Sequence, residues 1–229
     1  MDIHGLQKMT LLDYPGHVAC TVFLGGCDLR CPFCHNAKLI DGTAKPLLAG
    51  GELLDFLKKR RGLLDGVAIT GGEPLLRDLS PLLTEIKALG FPVKLDTNGF
   101  HPDRLRALLE AGLADYVAMD VKNSPARYAE TAGLASLDLG PLRASIDLLR
   151  DMAPDYEFRT TVVAELHDDD SFPAIGELIR GAKRYFLQAF TDRESVVFSG
   201  LHAPSRADME RWAALVRPYV REVSLRGVD

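Results

Sequence analysis

Gly66-Val67-Ala68-Ile69-Thr70-Gly71-Gly72 is the stretch that decides the fold. It is a short apolar strand stopped by two glycines. Leu79 to Leu89 then reads as an amphipathic helix, and Gly90 follows as its C′ residue. Pro92-Val93-Lys94-Leu95-Asp96-Thr97 is strand again. A strand, a helix and a second strand joined this tightly make a right-handed crossover, so the two strands run parallel.

The same alternation continues outward in both directions. Downstream, helices are expected over Pro102 to Ala111 (with Gly112 after it), Leu142 to Met152, Phe172 to Ala182 and Ser205 to Val216. Strands are expected over Tyr116 to Lys122, Glu157 to Val163, Tyr185 to Phe190 and, more briefly, Val223 to Leu225. Asp168 to Ser171 offer N-caps for the third of these helices, and Ser205 caps the fourth. Upstream, Glu52 to Arg60 has helical spacing and Val18 to Leu24 reads as a buried strand. Asp13-Tyr14-Pro15-Gly16 carries Pro and Gly at the centre of a type II turn, so Lys8 to Leu12 folds back on that strand as a hairpin.

This gives about six strand–helix units, fewer than the eight of a full barrel of about 250 residues. Two α/β architectures fit: an incomplete barrel or an open doubly wound sheet. Both bind ligands at the C-terminal ends of their strands.

The 229 residues suit one domain, with the hairpin 1–24 leading into a loop over 25–37. A hydrophobic fraction of 47% and a charged fraction of 26% are those of a globular protein. Net charge is −5, which argues against nucleic acid as a partner. No apolar run is long enough for a transmembrane helix and no signal peptide is visible, so a cytoplasmic protein without membrane contact is expected.

The four cysteines, Cys20, Cys27, Cys31 and Cys34, all lie early in the chain. Clustering of this kind points to metal or redox chemistry, not a disulfide framework. Cys20 sits mid-strand between Val18 and Val22 and reads as a small core hydrophobe. The other three form C-x3-C-x2-C in Gly26-Cys27-Asp28-Leu29-Arg30-Cys31-Pro32-Phe33-Cys34-His35-Asn36. Thiolates suit zinc or an iron–sulfur cluster. A structural zinc site needs a fourth ligand, for which His35 or Cys20 is available. A [4Fe–4S] cube held by three thiolates keeps one iron open.

C-x3-C-x2-C after a strand, with Phe33 before the last cysteine, resembles the signature of the radical S-adenosylmethionine superfamily. That resemblance implies a partial (β/α)6 barrel like an incomplete TIM barrel. It also implies a [4Fe–4S] cluster on Cys27, Cys31 and Cys34, with S-adenosylmethionine at the open iron. Thr70-Gly71-Gly72-Glu73-Pro74 resembles the superfamily's GGEP motif, in which Gly72 and Glu73 meet the methionine amino group. Read from the residues alone, Gly-Gly is a β–α turn and Glu73 an acceptor for an ammonium. Asp96-Thr97-Asn98-Gly99 resembles the DTNG run, and Asp120-Val121-Lys122 the DLK motif, of glycyl-radical-enzyme activases. Alternation puts Asp120 and Lys122 on one side of their strand, as a mutual ion pair or as cofactor contacts with Lys122 facing the methionine carboxylate. Arg159 is either a further anion handle or a partner of Glu157 or another acid. The implied cofactor contacts are therefore Phe33, His35, Gly72, Glu73, Asn98, Asp120, Lys122 and Arg159. Gln188 reads as a hydrogen-bonded core residue or a peptide contact, and the acidic run Asp168 to Asp170 as a solvated helix start.

The chemistry implied is an anaerobic oxidoreductase's: one electron cleaves S-adenosylmethionine, and the radical formed takes a hydrogen atom from a substrate. No catalytic triad is legible. Cys34-His35-Asn36 extends the resemblance toward glycyl-radical-enzyme activases, and the run Gly5 to Gly16 is similar to activating proteins of anaerobic ribonucleoside-triphosphate reductase. The partners implied are that glycyl-radical enzyme and a one-electron donor such as flavodoxin or ferredoxin. Pyruvate formate-lyase activase differs at the end of the fifth strand, where this chain has Thr161-Val162-Val163-Ala164-Glu165. The alternatives are an enzyme of small molecules resembling 7-carboxy-7-deazaguanine synthase, and a zinc-stabilised binding module.

Overall fold

The structure, a computed structural model, describes residues 1–40, 43–193, 196 and 198–228. The chain opens with β1 (Asp2–Ile3), β2 (Gly5–Thr10), β3 (Ala19–Leu24), α1 (Ala37–Ile40), β4 (Leu48–Ala49) and α2 (Gly50–Lys58). Next come β5 (Gly66–Gly71), a 3-10 turn (Pro74–Leu76), α3 (Ser80–Ala88), β6 (Val93–Thr97), α4 (Pro102–Glu110) and β7 (Tyr116–Asp120). The remainder is α5 (Tyr128–Thr131), α6 (Gly140–Met152), β8 (Tyr156–Val162), α7 (Ser171–Leu178), β9 (Arg184–Ala189), α8 (Arg206–Val216) and β10 (Glu222–Arg226). Eight strands form one sheet in the order β10-β9-β8-β7-β6-β5-β3-β2. All neighbours in it are parallel except β2 and β3. The six expected units are β3 and β5 to β9, with β10 added at one edge and the hairpin at the other.

That hairpin starts earlier than expected, at Gly5, because register slips between Gln7 and Thr10 and ends the pairing before Leu12. Its turn is as read: the Tyr14 carbonyl accepts from His17 N–H at 3.1 Å, and Gly16 has φ +76°. A two-residue ribbon, β1 with β4, and the four-residue α5 were not legible in the sequence.

The sheet curls into a partial barrel. Apolar residues facing out, such as Val67, Ile69, Val93, Leu95, Val117, Met119 and Phe158, are buried in the main core. The alternate residues face in, and there side chains from non-adjacent strands meet. Arg159 of β8 reaches Asp96 of β6 at 3.1 Å. Tyr14, from the hairpin turn, lies 6.0 Å (ring to ring) from Tyr116 of β7 and closes the lower end with Ala19 and Ala118. Curvature brings these groups together; a flat sheet would hold strands two apart nearly 10 Å from each other. Cys20 is fully buried in the outer core, and burial pushes its thiol up to about 12. Among the described residues no helix is long and apolar enough to cross a membrane.

Candidate functional site

A cavity of about 230 Å³ opens at the C-terminal ends of the strands. Cys27, Cys31 and Cys34 line it together with Phe33, His35, Gly72, Asn98, Asp120, Lys122 and Arg159. So do Thr70, Asp96, Thr161 and Gln188; from sequence alone the first three are only members of strand-end runs, and Gln188 reads chiefly as core. Its hydrogen bond is there, to Arg226, but it also faces the cavity.

The cysteine loop is fastened to the strand ends by backbone. Glu73 N–H donates to the Gly26 carbonyl at 2.8 Å, and a Cβ on Gly72 would fall 1.9 Å from that oxygen. Only glycine fits there. Arg30 N–H donates to the Ala132 carbonyl at 2.8 Å, just past α5, and a Cβ on Gly133 would meet the Arg30 carbonyl oxygen at 2.0 Å. Asp28 accepts from Asn98 Nδ2 at 2.6 Å and pairs with His101 Nε2 at 3.0 Å. The Asn36 amide donates to the Gly71 carbonyl at 2.8 Å. His35 Nε2 lies 2.7 Å from the Thr191 carbonyl oxygen, and its ring stacks on Phe190. The loop thus spans the mouth from β3 to the end of β9.

Glu73 is placed differently from the other expected contacts. It is not among the residues lining the cavity. It is buried behind the wall, where it accepts from Leu75 N–H at 2.8 Å, Thr97 Oγ1 at 2.9 Å and Asn98 N–H at 2.6 Å. Its carboxylate therefore ties the end of β5 to the end of β6, and burial lifts it to about 7 in spite of these donors. Gly71 and Gly72 leave backbone at the cavity surface.

Charge is arranged in a chain across three strands. Lys122 Nζ donates to Asp120 Oδ2 at 2.7 Å, and Arg159 Nε donates to Asp120 Oδ1 at 2.5 Å. Arg159 also pairs with Asp96, whose other oxygen takes Lys94. Burial acts to raise both carboxyls, but the cations outweigh it and hold Asp96 and Asp120 below the usual range. The same contacts hold Lys122 and Arg159 protonated. Of the alternatives for Arg159, the acids it takes are Asp120 and Asp96; Glu157 pairs instead with Arg226.

Burial pushes the thiol of Cys27 up to about 12 and raises Cys31 and Cys34. The protein by itself keeps these thiols protonated, so a metal must displace the protons. Among the described residues no three His, Cys, Asp or Glu side chains gather tightly enough to hold one metal ion. A single zinc, with bonds of about 2.0–2.3 Å, demands that crowding; a cluster of several irons spreads its ligands wider. Three thiols on one cavity, beside backbone, an amide and paired charges, suit such a cluster with one corner left for a zwitterionic ligand.

The profile of the Radical SAM superfamily matches residues 21–179. A protein of Methanocaldococcus jannaschii, named by inference as a glycyl-radical enzyme activating enzyme, is 28% identical over 99% of this chain and 96% of its own. A pyruvate formate-lyase-activating enzyme of Clostridium pasteurianum is 33% identical over 53% of this chain and 52% of that one. A 7-carboxy-7-deazaguanine synthase of Hyperthermus butylicus is 38% identical over 39% of this chain and 38% of that one. Among solved structures, Streptococcus suis SuiB bound to S-adenosylmethionine shares the fold with a TM-score of 0.68 at 13% identity. That match covers 90% of this chain, which spans about half, 52%, of the SuiB chain.

Proposed function

The chain belongs to the Radical SAM superfamily, and from that premise we propose that it activates a glycyl-radical enzyme by removing a hydrogen atom from a glycine Cα of that partner. The observation that carries this choice of substrate is the similarity to an activating enzyme along nearly the whole of both chains. The superfamily's cofactors, a [4Fe–4S] cluster and S-adenosylmethionine, supply the hydrogen-abstracting radical when bound.

The remaining work falls to this chain's residues. Cys27, Cys31 and Cys34 would give up their protons to hold the cluster. Lys122 keeps its proton and offers a cation to the amino acid's carboxylate. Arg159 and Lys94 together offset Asp96 and Asp120, so that these acids do not repel that carboxylate. Gly71 and Gly72 let backbone carbonyls approach an ammonium. Phe33, which is buried, and the His35–Phe190 stack form an apolar side of the mouth that limits water.

The partner in this reading is anaerobic ribonucleoside-triphosphate reductase, supported by the run Gly5 to Gly16, and the reductant is a flavodoxin or ferredoxin. The test is anaerobic incubation with reductant, S-adenosylmethionine and each co-encoded glycyl-radical enzyme. A doublet electron-spin signal on the partner's glycine is expected; its absence with every such partner sinks the reading. The short match to the deazaguanine synthase favours a second reading, a ring rearrangement of a small molecule. Formation of a 7-carboxy-7-deazaguanine without any glycyl signal would establish that one instead.

A further inference from the structure

β10 lies beyond the residues matched by the superfamily profile, yet its Arg226 reaches back into the barrel. Glu157, almost wholly buried, accepts from Arg226 Nη1 at 2.8 Å and from Nη2 at 2.9 Å. The guanidinium lies over the Phe186 ring, 3.5 Å from its centroid. Clamped from both sides, it directs Nη1 at Gln188 Oε1, 3.3 Å away. Arg226 and Gln188 are register partners on neighbouring strands, which brings their side chains together on one face.

We propose that Arg226 is a positioning residue that fixes the Gln188 amide with its nitrogen toward the cavity, where its N–H donates to a backbone carbonyl of the peptide substrate. A guanidinium has donors and no acceptor, so the atom of Gln188 that faces it must be oxygen. The amide is planar, and its NH2 then points away from Arg226, on a residue that lines the cavity. Without Arg226 the two orientations of the amide compete.

The choice of a peptide follows from where Gln188 stands. The sheet ends at β2 and β10 and does not join them, so the barrel is open along that seam. Gln188 is on β9, next to the open edge. The cysteine loop follows β3 at the other side of the seam and reaches the end of β9, where His35 meets the Thr191 carbonyl; Gly72, Asn98 and Lys122 follow β5, β6 and β7, away from the seam. A segment of a partner that covers the mouth therefore meets Gln188 on the β9 wall, apart from those groups. Such a segment brings uncharged carbonyl acceptors, and a neutral donor fits them without adding a buried charge.

The proposal rests on the activase reading, and its test separates the two. The probe is a fluorescent peptide with the partner's glycine-loop sequence, titrated anaerobically into the full chain loaded with cluster and S-adenosylmethionine. Gln188→Leu weakens peptide binding about 3- to 10-fold, the worth of one hydrogen bond, and leaves affinity for S-adenosylmethionine unchanged. Arg226→Gln, whose amide can both donate and accept, weakens peptide binding in the wild-type background but adds nothing in the Gln188→Leu background, because it acts through that amide. Thermal unfolding of each variant controls for folding. If Arg226→Gln lowers Tm but not peptide affinity, or if the two substitutions add independently, Arg226 is scaffold only and the proposal is overturned. If the wild-type chain neither binds the peptide nor yields a glycyl radical, the activase reading fails and the proposal falls with it.

Discussion

Two ionic layers lie one above the other inside the barrel, and they differ in balance. The upper one, Lys94, Asp96, Arg159, Asp120 and Lys122, sets three cations against two carboxylates and borders the cavity. The lower one sets the single carboxylate of Glu157 against Arg226, and adds the Tyr116 hydroxyl as donor at 2.7 Å. The upper layer keeps a surplus charge beside open space. The lower layer is neutral, with Tyr14 beneath it. On the proposed reading the surplus marks the layer that receives an anion, and the balance the layer that supports the barrel.

The largest expected effect is at the mouth. Cys31→Ala should bring iron and sulfide after anaerobic purification below one cluster per chain and remove the glycyl signal. Retention of a full cluster would detach the cavity from this chemistry. Next, Lys122→Met should weaken equilibrium binding of S-adenosylmethionine about 10- to 100-fold, the range for a hydrogen bond to a charged group. Glu157→Gln tests the other layer. It should cost about 1–3 kcal/mol in denaturant unfolding, less than for a wholly buried pair because Arg226 can still reach water. It should leave affinity for S-adenosylmethionine where it was; a loss matching that of Lys122→Met would break the comparison between layers.

The smallest effect is a pH dependence. Glu73 has its pKa raised in the fold from an ordinary 4.5 to about 7. Between these values the folded chain binds more protons than the unfolded one, so Glu73 makes stability fall as pH rises from 4.5 to about 7. Unfolding midpoints of Glu73→Gln should lack this component of the slope. An unchanged slope would mean that the strut between β5 and β6 is not titrating.

The six strand–helix units were legible because each strand is an apolar run and each helix repeats with its own period. The strand ends then placed Asn98, Asp120 and Lys122 by counting alone, and the cysteine spacing placed the loop. Two-residue β1 and β4 and four-residue α5 carry no period to detect. Asp96 and Lys94 stand as polar residues within a strand, and the structure shows both facing inward. What alternation does not provide is partners across the curl. Arg159 had two nearby acids to choose from, and Glu157 found its cation in β10, sixty-nine residues on. Asp169 is another instance: read as a solvated helix start, it also accepts from Trp212 Nε1 at 2.7 Å. His101, not singled out by its sequence context, braces Asp28 of the cysteine loop.

Tyr14 at the foot of the barrel has a kinetic consequence. With Tyr116, Ala19 and Ala118 it closes the foot of the interior, so the interior is a well blind at the bottom and entered from the mouth and the seam above. Traffic in a blind well is last in, first out. A small ligand seated against Lys122 and Asn98 must arrive before a bulkier one covers the mouth, and its fragments leave only after that one withdraws. On the activase reading, steady-state patterns should therefore be ordered sequential, with excess peptide trapping the small molecule beneath it.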